Sequence, residues 1–292
     1  MQFKETDLNL SEEEANELAE NLKAQLQKDE IPISNQKLIN QLVAGLGDKR
    51  GLLRRTFAES LGKIGKSATP ALRNALLKNK NVTVRRSAAK ALKLIGDKTA
   101  LPDLLFALLN DQDPIVQGSS AGAIAIFGEV ALKELSKVLT NPKSTSLQCG
   151  LASWAFAFVG AEAPEALKKA AKSKNILVRS AAIAALGEQI HSLQDKKAMA
   201  ILIEALDDPS IEVRIQATIL VGQLNQKKWA NEFLIKKLFD DSSELRKNAA
   251  LGLMKTKDIN VLKDLKKQAK VEKDQKVLEI ITLAIKQITI NN

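Results

Sequence analysis

Side chains able to do chemistry are few in this 292-residue chain, and they gather between Asp111 and Gly160. That stretch holds the single cysteine, Cys149, and the aromatic residues Phe127, Trp154, Phe156 and Phe158. No histidine, lysine or arginine stands beside Cys149 in sequence, so it reads as an inert small residue as readily as a nucleophile. His191 is the only histidine, which excludes paired-histidine iron sites and histidine-rich zinc sites, and one cysteine excludes cysteine-rich zinc sites. His191 follows Leu186-Gly187 in a long inter-helix loop and is expected to be exposed. A phosphate-cradling glycine loop, a nucleophile elbow and a kinase signature are all missing. Carboxylates on the expected inner helices of the repeats described below are sparse, with Glu59 and Glu188 the main ones, so acid–base work has few candidates. No catalytic residue, no metal ligand and no cofactor is therefore assigned from the residues themselves.

What remains is charge and apolar surface. The net charge of +10 is uneven: residues 1–30 carry nine acids against three bases, which leaves +16 on the rest. A basic body selects acidic partners, and charge alone does not choose among nucleic acid, anionic membrane and protein. Eleven basic residues lie between Arg54 and Lys93, and a second cluster spans Lys255–Lys276. Neither is interleaved with aromatics for base stacking beyond Phe57, which argues against nucleic acid and for an acidic protein or ligand carboxylates. Met1–Leu8 shows no secretion signal, and one cysteine fits a reducing compartment. The longest uncharged run, 144–161, opens on Ser, Thr and Gln and reads as helix core rather than a membrane span. A cytoplasmic protein is expected.

The elements that position these residues are helices. Apolar content is 45%, aromatic content only 3% with no tyrosine, so Ala, Leu, Ile and Val fill an all-α core. Ser11 and Glu14 form a capping box for a helix to about Gln27, and a second helix begins near Ser34. A repeat follows, clearest in Asn81–Asn110: a helix, a break at Gly96-Asp97 and a second helix. Aligned on one column the copies give Arg54, Arg85, Gln117, Gln148, Arg179, Arg214 and Arg246, at a period of about 31–32. Gly65, Gly96, Gly128 and Gly160 stand where a left-handed C-cap is expected. A helical hairpin cannot bury its apolar face alone, so stacked copies form an α-solenoid. We expect an N-terminal helical cap over residues 1–46, about seven repeats over 47–270 and a C-terminal capping helix over 271–292.

The pattern Asp-x-x-x-Val-Arg-x-x-Ala-Ala-x-x-Leu-Gly resembles the HEAT repeat, in the short form of phycobilisome lyase-like proteins. That resemblance puts the Arg-bearing helix on the concave face, with each Arg pairing an Asp of an adjacent repeat. Residues one and five places after the column then enter the groove: Arg55/Glu59, Arg86/Lys90, Gly118/Gly122, Cys149/Ser153, Ser180/Ala184, Ile215/Ile219 and Lys247/Leu251. Gly118, Gly122 and Gly150 hollow the middle, at about 1 kcal/mol each against alanine, so a close-packed neighbour or ligand is expected there. Phe127 and Phe158 are expected in the core, while Trp154 and Phe156 are divided between core and groove. The candidate binding residues are Arg55, Arg86, Lys90, Gly118, Gly122, Cys149, Ser153, Trp154 and Phe156.

From residue 41 to the C-terminus the chain is similar to the cyanobacterial HEAT-repeat family of phycobilisome degradation protein NblB and the CpcE/CpcF-type bilin lyases. The blocks 42–51, 116–123, 154–163 and 249–255 carry the nearer likeness to the NblB type, and a Tyr/Trp-rich helix found early in the lyases has no counterpart in Arg54–Ile64. The resemblance implies a scaffold or adaptor that engages phycobiliprotein subunits during phycobilisome degradation, with a linear tetrapyrrole (bilin) as a further ligand, in the cytoplasm at the thylakoid face. Bilin-lyase chemistry is the first alternative and nucleic-acid binding the second.

Overall fold

The computed structural model describes residues 11–30, 32, 35–224 and 227–290, without the side chains of 227 and 228. The expectations placed on Met1–Leu8 and on Ser34 lie outside the described residues. Apolar positions recur at helical spacing throughout, and the described residues form helices and no strand. The chain is an all-α solenoid of stacked helical hairpins. It packs as two compact units, Met1–Ala155 and Phe156–Asn292.

The first unit contains α1 (Glu12–Gln27), α2 (Gln36–Gly45), α3 (Gly51–Ile64), α4 (Thr69–Lys78), α5 (Val82–Ile95), α6 (Leu101–Asn110), α7 (Pro114–Ile124), α8 (Glu129–Thr140) and the start of α9 (Ser146–Glu162). Helices α3, α5 and α7 pack side by side as the Arg-bearing layer, with α4 and α6 behind them. The expected capping box opens α1, where Ser11 and Glu14 bond each other's backbone N–H, and α1 packs on α3. Asn35, Asn81 and Asp113 cap α2, α5 and α7 through their side-chain oxygens. Phe57, Leu61, Leu92, Leu104, Val116 and Ile124 lie fully buried between the layers.

The second unit continues α9 and adds α10 (Pro164–Ala170), α11 (Ile176–Ala184), α12 (Gly187–His191), α13 (Lys196–Ala205), α14 (Ile211–Gln223), α15 (Lys227–Leu238), α16 (Ser243–Thr256), α17 (Leu262–Ala269) and α18 (Gln275–Ile290). Here α11, α14, α16 and α18 form the Arg-bearing layer, backed by α13, α15 and α17. Helix α12 occupies the insertion that stretches one repeat to 35 residues. The segment expected as loop around His191 is therefore a short helix that buries Gln189 and Ile190 and leaves His191 exposed.

Gly96 closes α5 in the expected left-handed conformation, with φ 68° and ψ 20°, whereas Gly65 and Gly128 take positive φ of 75° and 59° with ψ of −143° and −129°, a region open to glycine but not the left-handed cap expected. Gly160 has no positive φ. Helix α9 runs on to Glu162, and a Cβ at Gly160 would stand 2.9 Å from Leu167 Cδ2, so this glycine serves a close helix approach instead of a cap. Gly222 and Gly252 do the same for α14 and α16, where a Cβ on Gly222 would lie 2.7 Å from the Gly252 Cα.

Candidate functional site

The arginine column is structural, and one rule accounts for it. Arg54, Arg85, Arg179, Arg214 and Arg246 each donate to the carbonyls six and five residues back, which ties the loop to the helix it enters. In three copies the residue six places before the corresponding position of the next repeat also supplies a carboxylate, whereas Arg214 holds only the Asp208 and Pro209 carbonyls. Arg85 thus holds Asp111 through two bonds of 2.8 and 3.0 Å, and Arg179 holds Asp208 at 2.7 and 2.9 Å. The Arg179 guanidinium keeps Asp208 below the usual carboxylate range. Arg246 pairs with Glu272 in the same way and pulls that carboxylate down to about 2.

The fourth repeat needs a different register from the one read in sequence. Gln148 is buried, as Val116 is, and the buried positions 116, 120, 123, 124 and 127 recur 32 residues on at 148, 152, 155, 156 and 159. Cys149, half-buried, occupies the arginine column and Gln148 a core position. Matching Gln148 to Gln117 by identity shifts the repeat by one. The Gln148 amide donates to the Leu109 carbonyl at 2.8 Å, and its oxygen accepts from Thr145 N–H while Thr145 Oγ1 accepts from Gln148 N–H. It therefore completes a capping box and clamps α9 to the end of α6. Gln117 donates only to the Asp111 carbonyl, and the position that would offer it an acid is Lys143. Cation and anion have been lost together there.

The corrected register reassigns the proposed groove. Gly150 and Trp154 stand in the columns given to Cys149 and Ser153, and Ser153 is half-buried on the flank of α9. Phe156 is fully buried, equivalent to Ile124, so it is core and not a groove residue. Phe158, expected in the core, is 44% exposed because it lies a turn beyond Trp154 on the outward side of α9. Phe127 is buried as expected.

In the first unit the exposed face of the Arg-bearing layer carries Arg55 and Glu59 on α3, Arg86 and Lys90 on α5, Ile115, Gly118 and Gly122 on α7, and Leu147, Gly150 and Trp154 on α9. The hollow expected at the glycines is filled from the next helix. A Cβ on Gly122 would touch the Trp154 ring at 3.4 Å and one on Gly118 would touch Leu151 at 3.5 Å, while Gly150 faces open space. The Trp154 ring thus rests on bare backbone and leaves about half its surface, 49%, to solvent. Ile115 and Leu147 are similarly exposed, so two adjacent helices present an apolar floor without a charge.

Cations border this floor. Arg55 is engaged by Glu59 at 2.7 Å and is neutralised on its own helix. Arg86 and Lys90, one turn apart, meet no carboxylate among the described residues, and the Arg86 Nε is buried without a hydrogen-bond partner. Like charges at this spacing repel by a few tenths of a kcal/mol. An apolar floor beside two uncompensated cations suits a flat apolar molecule that carries carboxylates.

The chain matches the family model for HEAT repeats over residues 69–150 and 199–286, and the PBS lyase HEAT-like repeat over 53–78. It is 46% identical over 280 residues to "Bilin biosynthesis protein MpeU" of Synechococcus sp. (strain WH8020), covering 96% of this chain and 94% of that protein. The chain belongs to the lyase-like HEAT-repeat family. Among solved structures, this HEAT protein aligns with the complex of CpcE and CpcF of phycocyanin lyase from Nostoc sp. PCC7120 at 21% identity and a TM-score of 0.33, over 64% of this chain and 99% of that one. It aligns with human deoxyhypusine hydroxylase at 19% identity and a TM-score of 0.36, over 87% and 96%. No helix among the described residues of this family member is long and apolar enough to cross a membrane.

Proposed function

We propose that this protein acts in joining linear tetrapyrroles to phycobiliproteins, as a bilin lyase of the HEAT type. The observation that carries this reading is the identity to a bilin biosynthesis protein along nearly the whole of both chains. The face of α5, α7 and α9 is where the tetrapyrrole would lie, its rings on Trp154 and its propionates at Arg86 and Lys90. The reaction is the addition of an acceptor cysteine thiol across a carbon–carbon double bond of the bilin. A sulfur–carbon bond forms, the thiol proton ends on the neighbouring carbon, and nothing leaves. Such an addition asks the protein to orient two reactants more than to exchange protons. Glu59, the carboxylate on this face, is already committed to Arg55. Retention without catalysis, the role expected of an adaptor in phycobilisome degradation, uses the same face.

The test is to incubate the protein with an apo-phycobiliprotein and free bilin and to follow the zinc-fluorescent covalent adduct on a denaturing gel. We expect adduct to form faster than the spontaneous background and with one stereochemical outcome. A rate equal to background, with tight retention of already chromophorylated phycobiliprotein, would replace the lyase reading with the adaptor one.

A further inference from the structure

The second unit carries a surface that the tetrapyrrole face does not use. Lys263, Lys266 and Lys267 on α17 and Lys270 at its C-cap fall at i, i+3, i+4 and i+7 and therefore line one side of the helix. All four are exposed, and none meets a carboxylate among the described residues. The opposite side buries Leu265 and Gln268. The mutual repulsion of these lysines, a few tenths of a kcal/mol per pair, is offset by the place of Lys266 and Lys267 in the last turn, where the helix dipole favours cations. Of the acids nearby, Glu272 is engaged by Arg246 and Asp258 by Asn231 and Asn260, while Asp264 lies in the first turn of α17 itself. Beside the stripe an open cavity of ≈ 390 Å³ is lined by Phe239, Gln268, Val271, Lys273, the Arg246–Glu272 pair, Asp240 and Asp241. Val271 is 64% exposed, and Lys267 Nζ stands 5.1 Å above the Phe239 ring.

We propose that this face of α17 docks an acidic amphipathic helix of the protein partner, its carboxylates along the lysine stripe and one apolar side chain in the cavity against Val271 and Phe239. The charge and its spacing select the partner. Carboxylates at i, i+3, i+4 and i+7 on one helix match lysines at the same spacing on another. A nucleic acid would want an open ring for stacking, and the Phe239 ring already lies under Lys267. A membrane-surface helix would turn its apolar side outward, whereas α17 buries it against the protein. That the partner is a phycobiliprotein subunit rests on the function proposed above.

The experiment uses the full chain and its variant Lys263→Glu/Lys266→Glu/Lys270→Glu, which leaves the Lys267–Phe239 contact in place. Adduct formation is measured against apo-phycobiliprotein concentration, and retention of the apo-subunit, a 20-base-pair DNA duplex and vesicles of one-quarter anionic lipid is measured at low and high salt. We expect the variant to raise KM for the apo-subunit by about tenfold with kcat unchanged, and an unaltered melting temperature. Val271→Asn should raise KM without changing the salt dependence. An unchanged KM in the triple variant overturns the docking face and leaves the proposed function standing. Absence of any adduct with the wild type sinks that function and with it the partner named here. Loss confined to the DNA or vesicle arms overturns the proposal in favour of that ligand class.

Discussion

Trp154 lays its ring across α7 at Gly122, where there is room for a Cβ but for nothing larger. Alanine at 122 brings its Cβ to an ordinary contact of 3.4 Å, so Gly122→Ala should raise stability by about 0.5–1 kcal/mol in a denaturant titration and leave bilin retention intact. Gly122→Leu has no such room and should lift the ring and cut tetrapyrrole affinity by about tenfold or more, read from bilin absorbance. Removing the cations is a separate intervention. Arg86→Ala/Lys90→Ala should weaken a dicarboxylate bilin by about tenfold and its dimethyl ester hardly at all, because the ester carries no charge to lose. Sequence made these cations legible through their spacing from the arginine column. It assigned Arg55 to the same role only because the competing Glu59 contact depends on a side-chain rotamer.

Among the elements, α9 departs furthest from its reading in sequence. Its residues match neighbouring repeats in two registers, and identity at Gln117 and Gln148 favours the wrong one, whereas burial fixes Cys149 in the column. Phe156 and Phe158 exchange places for that reason. Gln148 holds α9 against α6, and without its amide the Leu109 carbonyl loses a partner, so Gln148→Ala should destabilise the protein by about 1–3 kcal/mol. The crossing of α14 and α16 is stricter. Gly222→Ala would force a Cβ to within 2.7 Å of the Gly252 Cα, backbone that cannot rotate away, and should cost about 1–3 kcal/mol in chemical denaturation. Neither glycine stands out in the sequence, since close approach between distant segments leaves no local mark.

For the molecule as a whole, the repeat period and the Ala/Leu-rich composition made the solenoid legible, because stacking identical hairpins is the one way such hairpins bury their apolar faces. The chemistry was not legible to the same degree, since what distinguishes the binding face is what it lacks: charge on α7 and α9, and carboxylates beside Arg86. Acid sensitivity is a global consequence of the arginine column. Glu272 is held at about 2 against an ordinary 4.5, so its contribution is fully present above about pH 4.5 and is lost as pH falls toward 2. In Glu272→Gln that slope of melting temperature against pH should flatten over this window, with lower stability at neutral pH. The half-exposed indole of α9 has one more consequence. The chain has two tryptophans and no tyrosine, and Trp229 lies in the other unit with its ring centroid 5.2 Å from Phe233. Replacing Trp229 by Phe makes Trp154 the sole indole emitter, a built-in optical probe whose quenching would time the arrival of a tetrapyrrole without any attached dye.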